Sequence, residues 1–424
     1  MPKFATIDRD EPLSAKLRVV GVGGGGCNAI ESMIKKGLTG VEYIAINTDA
    51  QVLEKSSAHL RVQIGTNLTK GLGAGADPNV GRKAIEEDRE KITGILQGSD
   101  MVFVTAGMGG GTGTGGAPIV ASIAKSIGAL VIGIVTKPFK WEGKKRMLNA
   151  EEGISEIRQF VDSLIVIPNE RILNILDDSS EAFVAFDKPN EVLHEATRGI
   201  AEIITIPGVI NVDFADVRSV MNKSGEALMG CGIASGENRA VEAAHKAISS
   251  PLLEGINIKG AKNILLNVTA STNLTMKEIN DGNQVIYDAA GEEANVIFGL
   301  VHKEDMNEYV SYTVIATGFN SRNPISAAKP ADSSSRSNSP RQAQVSVGGW
   351  SKGKFEVDED ADLNIPTILR VKGSSKGMVD EDPIIQSGFN FGGVDSIFNS
   401  DKEKKKKDDF DEDDSSSFLR MMMD

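Results

Sequence analysis

The chain has 424 residues, of which 40% are hydrophobic, 25% charged and only 5% aromatic, and its formal net charge at pH 7 is −13. That length holds two or three domains with cores of their own, while the acidic balance argues against a nucleic-acid binder, which would present a basic face. Cys27 and Cys231, the two cysteines, suit neither a disulfide framework nor metal spacing, so a reducing cytoplasm is expected; no run approaches the ~18 apolar residues of a membrane span, and residues 1–15 read as a flexible start without an apolar signal core.

Lys16 to Asn28, KLRVVGVGGGGCN, is a short apolar strand entering Gly23, Gly24, Gly25 and Gly26, with AIESMIKKG continuing as a helix. Strand, glycine loop and helix N-terminus make an anion site, but the same pattern fits the dinucleotide fingerprint of a Rossmann oxidoreductase. The strand VEYIAINTD ends in Asn47, Thr48 and Asp49. Carboxyl ends of parallel strands are where open α/β sheets bind ligands, although Asp49 reads equally well as a turn cap. Gly65 to Gly81 is too long and glycine-rich for a plain connector. Within it Asp77-Pro78 is an N-cap followed by proline at the first helical position, starting a helix that is expected to run to about Gln97.

Thr105 to Ala117, TAGMGGGTGTGGA, follows the buried strand MVFVTA and precedes the helical APIVASIAKSI. Seven of the ten residues from Gly107 to Gly116 are glycine, which frees backbone amides to face a ligand, with the hydroxyls of Thr112 and Thr114 at the same surface. The missing lysine excludes the GxxxxGK[ST] phosphate loop. Next come the strand LVIGIVTKPF, a polar helix KWEGKKRMLNAEEGISEIRQFV and the strand SLIVIPN. Glu142 and Arg146 lie one helical turn apart, the spacing of a surface ion pair, and Phe186 reads as core. A long helix is expected from near Asn190 to Pro207-Gly208. Asn211, Asp213 and Asp216 then sit among apolar residues, where Asp213 reads as a turn residue and Asp216 as a lone acid. Glu226 to Phe319 has the alternation of a mixed α+β domain, with EANVIFGLVH and EYVSYTVIATGF as paired strands; His245 and His302 lack a second ligand at metal spacing.

GGGTGTG at Gly109 to Gly115 resembles the signature of the tubulin superfamily, and Leu17 to Phe319 resembles its FtsZ family of bacterial cell-division GTPases through several separated motifs. The resemblance implies a Rossmann-like GTP-binding domain with a parallel sheet (16–189), a connecting helix with the catalytic loop (190–225) and a C-terminal α+β domain (226–319). It assigns GTP or GDP, with Mg²⁺, to the two glycine loops, that is Gly23 to Gly26 with Asn28, and Gly107, Gly109, Gly110, Gly111, Thr112, Gly113, Thr114 and Gly115. Asn47, Thr48 and Asp49 join them, and Ala74 and Gly75 belong at the γ-phosphate. Glu142, Arg146 and Asn169 would reach the ribose and phosphates, and Phe186 and Asn190 the base. Asp187, Lys188 and Pro189 stand where the family carries small residues. NVDFADVR resembles the family's synergy loop, whose Asn211, Asp213 and Asp216 would act in trans on the GTP of a neighbouring subunit in a head-to-tail filament. A GTP-regulated scaffold without hydrolysis remains an alternative.

From about Ser321 the composition turns to Ser, Pro and Ala with little to bury, so 320–361 reads as disordered linker. DLNIPTILR interrupts it, and Leu363, Ile365, Pro366, Ile368, Leu369 and Arg370 resemble the family's tail peptide for membrane tethers and division regulators, here bounded as 362–372. Residues 373–424 read as a disordered extension with KEKKKK beside DDFDEDD. The expected setting is cytoplasmic, at the mid-cell division site.

Overall fold

A computed structural model of the chain describes residues 15–173, 181–206, 208–253 and 258–319. The docking peptide, its linker and the charged extension lie outside them, as do residues 1–14 and Pro207. The strands are β1 (Leu17–Val22), β2 (Glu42–Asn47), β3 (Leu60–Gln63), β4 (Met101–Gly107), β5 (Leu130–Lys137), β6 (Ser163–Pro168), β7 (Gly225–Ala234), β8 (Asn263–Ala270), β9 (Asn295–His302) and β10 (Val310–Thr317). The helices are α1 (Gly23–Lys35), α2 (Ala50–Lys55), α3 (Thr66–Thr69), α4 (Pro78–Glu87), α5 (Arg89–Leu96), α6 (Thr112–Ser126), α7 (Lys144–Ile157), α8 (Asn169–Leu173), α9 (Ala182–Thr205), α10 (Phe214–Met221), α11 (Arg239–Ile248) and α12 (Met276–Ala290).

The strands join in the order β3-β2-β1-β4-β5-β6-β7-β10-β8-β9. β1 to β6 are all parallel, and their order is that of a doubly wound nucleotide-binding fold, with the switch in direction between β1 and β4. Alternate residues face opposite layers, as period-2 side chains must. Val19 and Phe103 pack toward α1 and α9, while Val20, Val102 and Val104 pack toward α4, α5 and α6. β10 is antiparallel to both β7 and β8, giving the mixed second half with its own core around Leu266, Val268, Ile286 and Tyr312. Asp162, buried between the halves, accepts from Lys125 Nζ, from the Val131 N–H at 3.0 Å and from the Lys223 N–H at 3.3 Å. Both cysteines are free, and burial pushes their thiols up to about 12.

Several expectations change. The helix after Pro78 is two helices, because Asp88 leaves helical geometry and its carboxylate accepts the Gly65 N–H at 2.9 Å. α9 starts at Ala182 rather than near Asn190. Pro189 removes one helical bond, to the Ala185 carbonyl, while Lys188 and Lys36 both pair with Glu191 across that turn. The strands over 295–302 and 310–317 are not partners: β9 pairs in parallel with β8, and β10 lies on the other side of β8. β7, which sequence reasoning missed, adds to β6 and makes one sheet of both halves. Finally, the second half of the glycine-rich stretch Gly107–Gly116 is helix rather than loop, since α6 begins at Thr112.

That last difference redefines why glycine is needed. A Cβ on Gly115 would overlap the Pro78 carbonyl at the start of α4, so α4 and α6 approach with no room for a methyl group. Gly115→Ala is expected to destabilise the protein by about 1–3 kcal/mol, the range for overpacking a core, as read from the midpoint of urea unfolding. An unchanged midpoint would show that the two helices separate freely.

Candidate functional site

β1 and β4, neighbours at the switch point, each run into the N-terminus of a helix, α1 and α6. Neither helix has a side-chain cap or an acidic residue in its first turn. Their unpaired amides and dipoles therefore leave a site for an anion. The two starts touch: Gly23, at φ +73°, is so close to α6 that a Cβ would lie 2.7 Å from the Gly113 nitrogen. The threonine hydroxyls hold this arrangement together. Thr112 Oγ1 pairs with Thr48 Oγ1 at 2.6 Å, and Thr114 Oγ1 accepts the Gly109 N–H at 2.8 Å.

A cleft opens beside the helix starts, lined by nine of the sequence candidates: Gly25, Asn28, Gly107, Gly110, Glu142, Arg146, Asn169, Phe186 and Asn190. Glu142 and Arg146 form the expected pair at 2.7 Å, but at 12% and 22% side-chain exposure it belongs to the cleft wall rather than the surface. The other Glu142 oxygen accepts the Phe139 N–H at 2.7 Å, closing the single turn Lys140–Glu142 ahead of α7. The helix expected from Lys140 is thus broken at Gly143. Asn169 starts α8 and is buried, with Oδ1 lacking a hydrogen-bond partner among the described residues. Phe186 and Asn190 are four residues apart on α9, hence on one face, and Asn190 Nδ2 donates to Asp187 Oδ1 at 3.1 Å.

The remaining candidates frame the helix starts. Asn47 is fully buried, accepting the Asp49 N–H at 3.3 Å through Oδ1 and leaving Nδ2 without a described partner. Asp49 caps α2, its Oδ1 accepting the N–H groups of Gln51 and Val52, so the turn-cap alternative describes what its carboxylate does here. Ala74 is buried against Gly111, and the adjacent Gly75 is exposed. Gly24 and Gly26 lie in the first turn of α1, the latter against the Thr105 carbonyl.

Asn211, Asp213 and Asp216 are not brought to this cleft. Asp213 caps α10, with Oδ1 accepting the Asp216 N–H at 2.8 Å and Asp216 Oδ2 accepting the Asp213 N–H at 3.4 Å. Both are exposed. Asn211 Oδ1 accepts the Gly208 N–H at 2.6 Å, and the loop is fixed to β9 by two bonds between Leu300 and residues 209 and 210. Arg218 of α10 donates to the carbonyl of Gly128, just ahead of the N-terminal end of β5. The cleft is at the other end of that strand, where Thr136 and Pro138 line it, and the eight residues of β5 span about 26 Å at the usual strand rise.

Residues 16–177 match the family model of the Tubulin/FtsZ family GTPase domain, and residues 225–320 that of the FtsZ family C-terminal domain. Among solved structures, an empty FtsZ dimer from M. jannaschii is 44% identical, with TM-score 0.70 over 74% of this chain and 90% of that one. A tryptophan-to-tyrosine point mutant of the M. jannaschii FtsZ is also 44% identical, with TM-score 0.69 over 72% of this chain and 92% of that one. The chain belongs to the Tubulin/FtsZ family. The fold is shared more widely, by CetZ1 from Haloferax volcanii in a GDP-bound monomer at 24% identity and TM-score 0.62, over 72% of this chain and 95% of that one. Membership removes the oxidoreductase reading and makes the first half a GTPase domain.

In this FtsZ-family chain the cleft also uses Met108, Thr136, Pro138, Phe139 and Leu193, which sequence reasoning did not single out, and Pro189, which it noted only as a departure from the family's small residues. Thr136 and Pro138 were legible by position, at the carboxyl end of a parallel strand. Phe139 stacks on Trp141 with centroids 5.3 Å apart, and Phe186 stands edge-on to both, 6.2 Å from Phe139 and 5.8 Å from Trp141. Trp141 remains 64% exposed. In a Trp350→Phe background, Trp141 emission is expected to shift saturably on titration with GTP, and the response to shrink in Phe186→Ala. Emission unmoved by saturating GTP would place the base away from this aromatic wall.

Proposed function

We propose that the protein is a GTP-dependent, filament-forming GTPase of cell division that hydrolyses GTP where two subunits meet. The observation that carries this reading is a separation. α9 runs from the cleft at Phe186 and Asn190 to the segment that delivers Asp213 and Asp216, and the sixteen residues from Asn190 to Thr205 alone cover about 24 Å. Two exposed carboxylates so far from the chain's own cleft are out of reach of its own nucleotide, which supports a role at the nucleotide of another subunit. Head-to-tail stacking brings that end onto a neighbour's cleft. Exposed Val209 and Ile210 beside the carboxylates, and exposed Leu68 on α3 and Leu72 just after it, supply apolar surface for the junction.

In this mechanism Phe186 stacks on the base and Asn190 hydrogen-bonds its edge. Asn169 reaches the ribose with its unpaired Oδ1, and Arg146, aligned by Glu142, faces the phosphates. The amides of α1 and α6 hold the phosphate oxygens. Asp213 and Asp216 of the incoming subunit orient and polarise the attacking water, while Asn211 shapes the loop through Gly208. Phosphoryl transfer needs chiefly this positioning and charge stabilisation. The described residues hold no group of three His, Cys, Asp or Glu side chains placed for a metal, so an Mg²⁺ would rest on phosphate oxygens and water, as it commonly does. When bound, it would neutralise charge between the β- and γ-phosphates.

The wider role follows from filament formation. We place the protein in the cytoplasm, at the mid-cell division site, with residues 362–372 docking membrane tethers and division regulators. No described helix is long and apolar enough to cross a membrane.

Turnover per subunit should rise steeply above a critical protein concentration, measured as phosphate release with light scattering alongside. Asp216→Ala should bind GTP and assemble, yet lose on the order of 10²–10⁴-fold in hydrolysis, the range for a positioned acid–base group. Specific activity independent of concentration, with full activity in Asp216→Ala, would contradict the interface mechanism.

A further inference from the structure

The Asn190 side chain lines the cleft, but one of its two functions is already committed inside the helix. Its Nδ2 donates to Asp187 Oδ1 at 3.1 Å, one turn earlier on α9. A carboxylate at neutral pH only accepts hydrogen bonds, so the amide must turn its NH₂ toward Asp187 and its carbonyl oxygen away from it. Nearby cations do not compete for Asp187: Lys188 pairs with Glu191, and Lys36 pairs with the same glutamate. Asp187 itself is exposed and does not line the cleft.

The direction of an amide decides which base it can accept. Guanine offers N1–H and the 2-amino group, both donors, beside its O6 acceptor, on the edge where adenine offers the N1 acceptor beside the 6-amino donor. A freely rotating amide serves either edge; one held with its oxygen toward the base accepts from guanine N1–H and the 2-amino group, whereas with adenine it meets the 6-amino group alone and leaves N1 unpaired. We propose that Asp187 is a specificity-determining positioning residue, which locks the Asn190 amide with its acceptor toward the base and thereby favours guanine over adenine nucleotides. This rests on the reading of Asn190 as the base contact.

The test compares the affinities of GTP, inosine triphosphate and ATP, by displacement of a fluorescent GTP analogue, in the full chain and three variants. Asp187→Ala should lower the GTP-over-ATP preference about three- to tenfold, the scale of one hydrogen bond of about 1 kcal/mol, with kcat at saturating GTP unchanged. Inosine triphosphate, which keeps N1–H and lacks the 2-amino group, should follow GTP in direction. The exchange Asp187→Asn with Asn190→Asp should restore the preference, because the new amide donates to the new carboxylate and an acceptor still faces the base. Asn190→Ala is the control for the underlying reading. If it lowers the preference while Asp187→Ala does not, or if the exchange fails to restore it, the proposal is overturned and the base contact stands. An unchanged preference in both single variants overturns the base contact and the proposal together.

Discussion

The contact between the first turns of α1 and α6 is the constraint on which the site depends. β1 and β4 are adjacent and parallel, so the helices that follow them start side by side, and both present unpaired amides to the same space. Side chains at the contact would push the helices apart. A Cβ on Gly23 would press on the Gly113 nitrogen, and one on Gly113 would lie 2.9 Å from the Gly107 carbonyl. An open anion site at the helix starts and close helix packing are thus one requirement, met by the same backbone approach. The buried Thr48–Thr112 bond then ties the end of β2 to the start of α6, fixing the polar end of a third strand to the same point.

α9 sets the second constraint, which is one of distance. The helix is buried through Leu193, Ala196, Ile200 and Ile203 against the sheet, and Gly199 allows contact with Thr313 of β10. It therefore acts as a rigid spacer between the aromatic wall of the cleft and the Asp213–Asp216 capping box. His194, on the same helix, is pushed down to about 4 by burial and remains neutral at physiological pH, while Arg198, Glu195, Glu202 and Lys303 neutralise one another nearby. A helix packed in this way cannot bend its far end back onto its own nucleotide.

Five of the six parallel strands were legible because each is an apolar run ending in polar or glycine residues at its ligand-binding end; β3, LRVQ with exposed Leu60 and Arg61, was not. The cleft lining was legible through the resemblance, as at Glu142, Arg146, Asn169, Phe186 and Asn190, whereas spacing alone made Glu142 and Arg146 a surface pair and Phe186 core. Reasoning failed where tertiary partners override local signals. Pro189 reads as a helix boundary, yet α9 passes through it because ion pairs and packing hold the turn. Asp88 ends a helix by bonding Gly65, a partner 23 residues away. The β8–β9 pairing places α12 as the crossover between two parallel strands, which no window containing β9 and β10 alone could reveal. Trp141 carried no signal of its own, since its role comes from two rings brought together by the β5–α7 connection and α9.

The most direct test of catalysis between subunits is complementation. Subunits carrying Asp216→Ala keep an intact cleft, and subunits carrying Arg146→Glu keep intact carboxylates but oppose the triphosphate with like charge. Each is nearly inactive alone in this account. Phosphate release from an equimolar mixture above the assembly threshold should exceed the sum of the separate rates several-fold, because some junctions combine one variant's cleft with the other's carboxylates. A mixture no more active than that sum, with both variants shown to enter the same filaments, would contradict the account and return the catalytic groups to a single subunit.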